Sequence, residues 1–115
     1  MISPGEIYFA AVDETGTRPV IVVSQESFNR GRFVCIVPCT SKKFQQRQNL
    51  PNCVPFLAGQ FGFFVDSVAQ CELIAAVEIS DLDLAGGPVG VLDDITLRSV
   101  IKAIGHVLDS DCEPN

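Results

Sequence analysis

One histidine, His106, is the entire imidazole complement of these 115 residues. That scarcity excludes a nuclease that works with a histidine pair as acid and base, and it leaves a histidine-containing zinc site a single residue to draw on. Long apolar runs are also missing: the longest is about seven residues, against the ~20 that a membrane-crossing helix needs. The start, Met1-Ile2-Ser3-Pro4-Gly5, lacks the basic-then-apolar pattern of a secretory signal, so the expectation is a cytoplasmic protein with no membrane partner. The cysteines, Cys35, Cys39, Cys53, Cys71 and Cys112, are odd in number and lie mostly in apolar segments, which fits reduced thiols better than a disulfide framework. On one extended strand, Cys35 and Cys39 would stand about 13 Å apart, too far to share an ion. No metal and no cofactor are expected.

Acidic residues are missing from one stretch in particular. Between Ser27 and Val65 there are five basic side chains (Arg30, Arg32, Lys42, Lys43, Arg47) and no acidic one, whereas the remainder carries three basic and fourteen acidic residues. The net charge of −6 therefore divides into +5 and −11. Screening cuts electrostatics off beyond about 8 Å at physiological salt, so a local basic rim can hold phosphates despite the overall sign. A solvated loop carrying lysines for solubility is the plainer alternative. With 47% apolar residues, the chain has material for one core, and a single domain over 1–115 is expected, with its core over about 4–108 and a flexible tail over 109–115.

Strands dominate, and a helix comes last. Apolar segments at Glu6 to Val12, Pro19 to Ser24 and Arg32 to Val37 read as the first three strands, joined by turns at Asp13 to Thr17 and Asn29 to Gly31. Pro38 marks an irregularity near the end of the third. A polar loop from Ser41 to Asn49 follows, then a strand around Cys53 to Leu57, a turn at Gly59 to Gly62, a longer strand from Asp66 to Leu73 and a short one near Ala76 to Ile79. Five or six strands at this spacing predict a small closed or half-closed barrel. Leu97, Val100, Ile101, Ile104, Val107 and Leu108 recur at helical spacing, with Asp93 or Asp94 as the N-cap, which predicts a C-terminal helix ending near Asp109. His106 falls on its wet side, with Lys102 nearby.

Two apolar strands carry functional groups at their ends. Arg18 precedes Pro19-Val20-Ile21-Val22-Val23, and Thr40-Ser41 follows Val34-Cys35-Ile36-Val37-Pro38-Cys39. A permanently charged planar donor and a hydroxyl at the rim of a small barrel suit an anionic phosphate. The plainer roles are a surface ion pair of Arg18 with Glu14 or Asp13 and a turn-capping hydroxyl for Thr40.

Taken in order, Pro4-Gly5-Glu6-Ile7-Tyr8-Phe9, Arg18-Pro19-Val20-Ile21-Val22-Val23-Ser24, Val37-Pro38-Cys39-Thr40-Ser41, Gly62-Phe63-Phe64-Val65-Asp66-Ser67-Val68 and Gly90-Val91-Leu92-Asp93-Asp94 resemble the MazF/PemK/Kid family of toxins from toxin-antitoxin modules. The resemblance implies an SH3-like barrel with a C-terminal helix. It also implies a homodimer that cleaves single-stranded RNA without a metal, through attack of a ribose 2′-hydroxyl on the adjacent phosphate. The family's catalytic arginine falls on Arg18 and its catalytic threonine on Thr40. Ser41, Lys42, Lys43 and Arg47 would hold RNA phosphates, and Phe44 would either stack on a base or plug the core. The partners implied are single-stranded RNA and a cognate antitoxin whose acidic segment covers the basic groove.

The chain departs from the family pattern in two places. The connection between the first two strands is only Asp13 to Thr17, where ribonuclease members carry a longer loop, and Ala75-Ala76 replaces an expected Arg-Thr pair. These departures keep a second class open: a catalytically silent member that binds a protein partner, as gyrase-poisoning relatives do.

Overall fold

Alternating apolar residues build an antiparallel sheet, and the 3.6-residue repeat at the end of the chain builds one long helix against it. A computed structural model describes residues 1–14 and 16–109. Its elements are β1 (Glu6–Asp13), β2 (Gly16–Val22), α1 (Glu26–Asn29), β3 (Phe33–Thr40), α2 (Phe44–Arg47), β4 (Cys53–Phe56), β5 (Ser67–Gln70), β6 (Ala75–Glu78), β7 (Leu82–Asp83), β8 (Gly90–Val91) and α3 (Asp94–Asp109). The hydrogen-bonded order is β4-β5-β3-β2-β1-β7, with β6 beside β3 and β8 beside β1.

The mainly-β class with a C-terminal helix agrees with the sequence reading, and of the closed and half-closed alternatives the barrel takes the second; the strand count differs. Among the described residues there are eight strands rather than five or six, and β4 and β7 end the path unpaired with each other, so the barrel is not closed by hydrogen bonds. The two extra strands, β7 and β8, have two residues each, too few for alternation to register in sequence. The expected longer strand from Asp66 to Leu73 stops at Gln70. A 3₁₀ turn over Cys71–Leu73 follows, buries Cys71 and brings its Sγ to the Val100 carbonyl of α3 (3.7 Å). The first connection is even tighter than expected, since β1 runs on to Asp13 and β2 restarts at Gly16, whose φ of 111° suits glycine. The predicted tail beyond Asp109 lies outside the described residues, as does Cys112.

Two prolines shape the centre of the sheet. Val23 N–H donates to the Cys35 carbonyl (3.0 Å), so odd-numbered residues of β2 and β3 direct their backbone groups at each other and even-numbered ones point away. Pro38 therefore turns its donor-less nitrogen away from β2. On that side β3 changes partner, from β6 at Ile36↔Ala75 to β5 at Cys39↔Ala69, so the missing N–H falls in the gap. Pro19 is the reverse case: it would face Cys39 with an N–H it does not have, and the β2–β3 ladder ends one residue earlier, at Val20↔Pro38. The strands are free to part there.

The core lies on both faces of this sheet. Ile7, Ile21, Val37, Cys39, Phe56 and Ala69 pack with Val100, Ala103 and Ile104 of α3 on one side, while Tyr8, Val20, Val22, Val34, Ile36 and Leu82 pack on the other. Asp93 caps α3: its carboxylate accepts the Thr96 N–H (2.7 Å) and its carbonyl the Leu97 N–H (2.9 Å). Only part of the predicted apolar stripe is covered. Val100 and Ile104 are buried, but Ile101, Val107 and Leu108 remain exposed, because the helix rests chiefly on the Cys71 turn and β4. His106 and Lys102 are exposed, as expected.

Candidate active site

The parting of β2 and β3 beyond Pro19 opens a cleft of about 210 Å³, lined by Thr17, Arg18, Pro19, Thr40, Ser41 and Lys42, with Cys39 behind. The register explains the convergence. Two residues past Val20↔Pro38 the same alignment sets Arg18 opposite Thr40, and both lie on the face that Val20 and Pro38 share. Thr40 is nearly buried (8% exposed) and Arg18 half-buried, so both side chains sit in partly dried surroundings. Of the residues expected to act together, Arg18, Thr40, Ser41 and Lys42 meet in this one concavity.

Thr40 is oriented by its own loop. Its Oγ1 accepts the Lys42 N–H (3.2 Å), which occupies a lone pair and leaves the hydroxyl proton free to be given elsewhere. Lys43 then turns the chain with φ 55°, a left-handed conformation that non-glycine residues seldom adopt, and α2 begins at Phe44. Arg47 reaches back to the Lys42 carbonyl through Nη1 (3.2 Å) and closes the loop. Lys43 and Arg47 thus stand beside the cleft without lining it. Phe44 is half-buried and belongs to neither core cluster, so it is not the core plug; it also does not line the cleft.

A second cavity, of about 190 Å³, opens on the other face of the same segment and was not foreseen from the sequence. It shares Pro19, Cys39, Thr40 and Ser41 with the cleft, and its other walls include Phe9, Phe61, Phe63 and Phe64. The available signal was the aromatic cluster Phe61-Gly62-Phe63-Phe64, which alternation alone does not place. Among the described residues, no acidic side chain lines either cavity. Burial and the neighbouring Cys71 thiol push Cys39 far above the usual thiol range, so it is a neutral wall and no nucleophile. Among the described residues no three histidine, cysteine or acidic side chains are placed to hold a metal ion. A cleft that presents a guanidinium, a hydroxyl and an ammonium together suits an anion.

Residues 3–108 match the family described as PemK-like, MazF-like toxin of type II toxin-antitoxin systems. The chain belongs to this family. A curated relative, endoribonuclease EndoA of Bacillus subtilis (strain 168), is 28% identical over 110 residues, covering 90% of this chain and 91% of its own. Among solved structures, the Mycobacterium tuberculosis toxin MazF-mt6 superposes with a TM-score of 0.74 at 24% identity, over 90% of this chain and 96% of that one. An endoribonuclease in complex with its cognate antitoxin from a mycobacterial species gives 0.75 at 19% identity, over 94% and 95%. At these identities the structural likeness is one of fold. In this PemK/MazF-like chain the departures from the family pattern also have a place. Ala75 lies on β6 beside Pro38, Leu73 and Val77, in an apolar hollow of about 250 Å³ that reaches Arg18 from the side away from Ser41 and Lys42.

Proposed function

We propose that this chain is a ribonuclease toxin that cleaves single-stranded RNA without a metal ion, with Arg18 and Thr40 as its catalytic residues. The observation that carries the proposal is the one cleft in which Arg18, Thr40, Ser41 and Lys42 converge. The 2′-hydroxyl oxygen attacks the adjacent phosphorus, and the 5′-oxygen of the next nucleotide leaves. The attacking hydroxyl loses a proton and the leaving oxygen gains one through solvent, giving a 2′,3′-cyclic phosphate and a 5′-hydroxyl. Negative charge accumulates on the non-bridging oxygens as the bond forms. Donors already aimed there lower the barrier without reorganising. Arg18 supplies two parallel N–H groups and, as a permanently charged guanidinium, serves as a charge stabiliser rather than a base. Thr40 adds a hydrogen bond to the same oxygens through the O–H that its bond from Lys42 leaves available, and keeps its proton throughout.

Ser41 and Lys42 hold the flanking phosphates, and Lys43, Arg47 and Phe44 extend the basic rim for the strand beyond the cleft. An antitoxin with an acidic segment fits the same rim, in line with the antitoxin complex of a relative that shares the fold. The exposed Ile101, Val107 and Leu108 on α3 support a homodimer, and the shared core of sheet and helix supports one domain.

One observation favours a second reading, a silent member that binds a protein partner. The wall beside Arg18 is apolar at Ala75, where a second polar group would otherwise help hold RNA. Incubation of mixed-sequence RNA with the purified protein in EDTA separates the two. Fragments carrying a cyclic phosphate and a 5′-hydroxyl are the expected result; RNA left intact at high protein concentration would favour the silent member.

A further inference from the structure

We propose that the aromatic cavity behind Thr40-Ser41 is a nucleobase subsite, which takes the base next to the scissile phosphate and sets the sequence preference of cleavage. The inference rests on the nuclease reading above and adds a specificity determinant to it. Continuity is the first support. The cavity and the phosphate cleft share Pro19, Cys39, Thr40 and Ser41, so a phosphate in one and a base in the other can belong to one nucleotide, with its ribose between them.

Size and lining are the second support. At about 190 Å³ the space is smaller than the ~300–1,000 Å³ of pockets for drug-sized ligands, and it suits one flat ring. Four phenylalanines stand in its walls, and among the described residues no acidic side chain lines it to repel a polyanion. Single-stranded RNA is read through bases splayed out of the strand and stacked on aromatic side chains.

The walls are also held in place. Phe63 stacks on Phe56 (4.7 Å, 13°), and Phe61 meets the same ring edge-on (6.2 Å, 88°). Phe61 keeps a φ of 49°, a left-handed conformation that is costly for a bulky residue. Glycine on both sides of the contact maintains it: a Cβ on Gly90 would come within 1.7 Å of the Phe61 carbonyl, and one on Gly62 within 2.2 Å of the Val89 carbonyl. At the mouth, Phe64 is 87% exposed. An aromatic ring left in water beside a rigid aromatic cavity is placed to close over a base.

Because Phe64 is so exposed, its replacement leaves the fold intact. The test compares wild type, Phe64→Ala and Phe64→Trp on mixed-sequence RNA, with steady-state kinetics and sequencing of the 5′-hydroxyl ends. Loss of one base–aromatic stack should raise KM about tenfold or more and leave kcat within about threefold. The base preference flanking the cut should flatten in Phe64→Ala and return in Phe64→Trp. Unchanged KM and preference in Phe64→Ala would overturn the subsite alone, also if that variant instead lost affinity for an antitoxin. Wild type that leaves all RNA intact would overturn the nuclease reading, and the subsite with it.

Discussion

Pro19 does more for the cleft than its own side chain suggests. By withholding an N–H from Cys39 it ends the β2–β3 ladder at Val20↔Pro38, and the neighbouring Arg18 is left at the mouth of the opening, on the same face as Thr40. The guanidinium and the hydroxyl were legible in the sequence as chemistry, because few residue types suit an anion so directly. Their meeting was not, since it depends on the register of two strands and on which residue fails to donate. Asp93 illustrates a different limit. Two adjacent carboxylates both qualified as the cap of α3, and only geometry selects Asp93, through hydrogen bonds from the Thr96 hydroxyl and N–H that hold its carboxyl below the usual range. A depressed pKa adds stability above the unfolded value of about 3.9 and loses it as the pH falls below that. Asp93→Ala should therefore lower Tm at pH 7, and thermal scans should show the gap to wild type narrowing toward about pH 3.

At the scale of elements, β3 has two partners on one side, β6 along its first half and β5 at its end. That handover delivers Thr40 to the rim, and it coincides with Pro38, the one position in the strand that can spare the missing hydrogen bond. The sequence marked Pro38 as an irregularity without indicating its use. Long elements were legible, since α3 spans 16 residues and repeats its pattern four times over, whereas β7 and β8 exist only because β1 offers them an edge. If the gap at Pro19 opens the cleft, Pro19→Ala should extend the β2–β3 ladder by one donor and narrow it. Hydrogen exchange should then find a protected amide at position 19, with Tm within a few degrees of wild type and kcat/KM reduced about tenfold. An unprotected amide with full activity would mean that the strands part for another reason.

For the whole molecule, charge matters more than any single contact. An acidic protein gathers four of its eight basic residues at or beside one cleft, while Arg32 is paired with Glu78, so binding should be short-ranged and sensitive to salt. On the proposed reading, Arg18 and Lys42 in the cleft, with Lys43 and Arg47 beside it, would make up to four phosphate contacts. At about −0.7 per contact for single strands, affinity for a non-cleavable DNA analogue should fall with log salt at a slope of about −2 to −3. Lys42→Ala should reduce that slope by about 0.7; a slope near zero would move the binding surface elsewhere. The charge division was legible from composition. The aromatic cavity was not, because it assembles side chains from β1, β2 and the loops around Phe61 and Val89 that only the tertiary fold brings together.

The most direct test of the central claim is the rate at which folded Arg18→Ala and Thr40→Ala cleave one defined oligoribonucleotide. Each should lose about 10²–10³-fold in kcat with a circular dichroism spectrum like that of wild type, as expected when a donor to developing negative charge is removed. Wild-type turnover by either folded variant would contradict it.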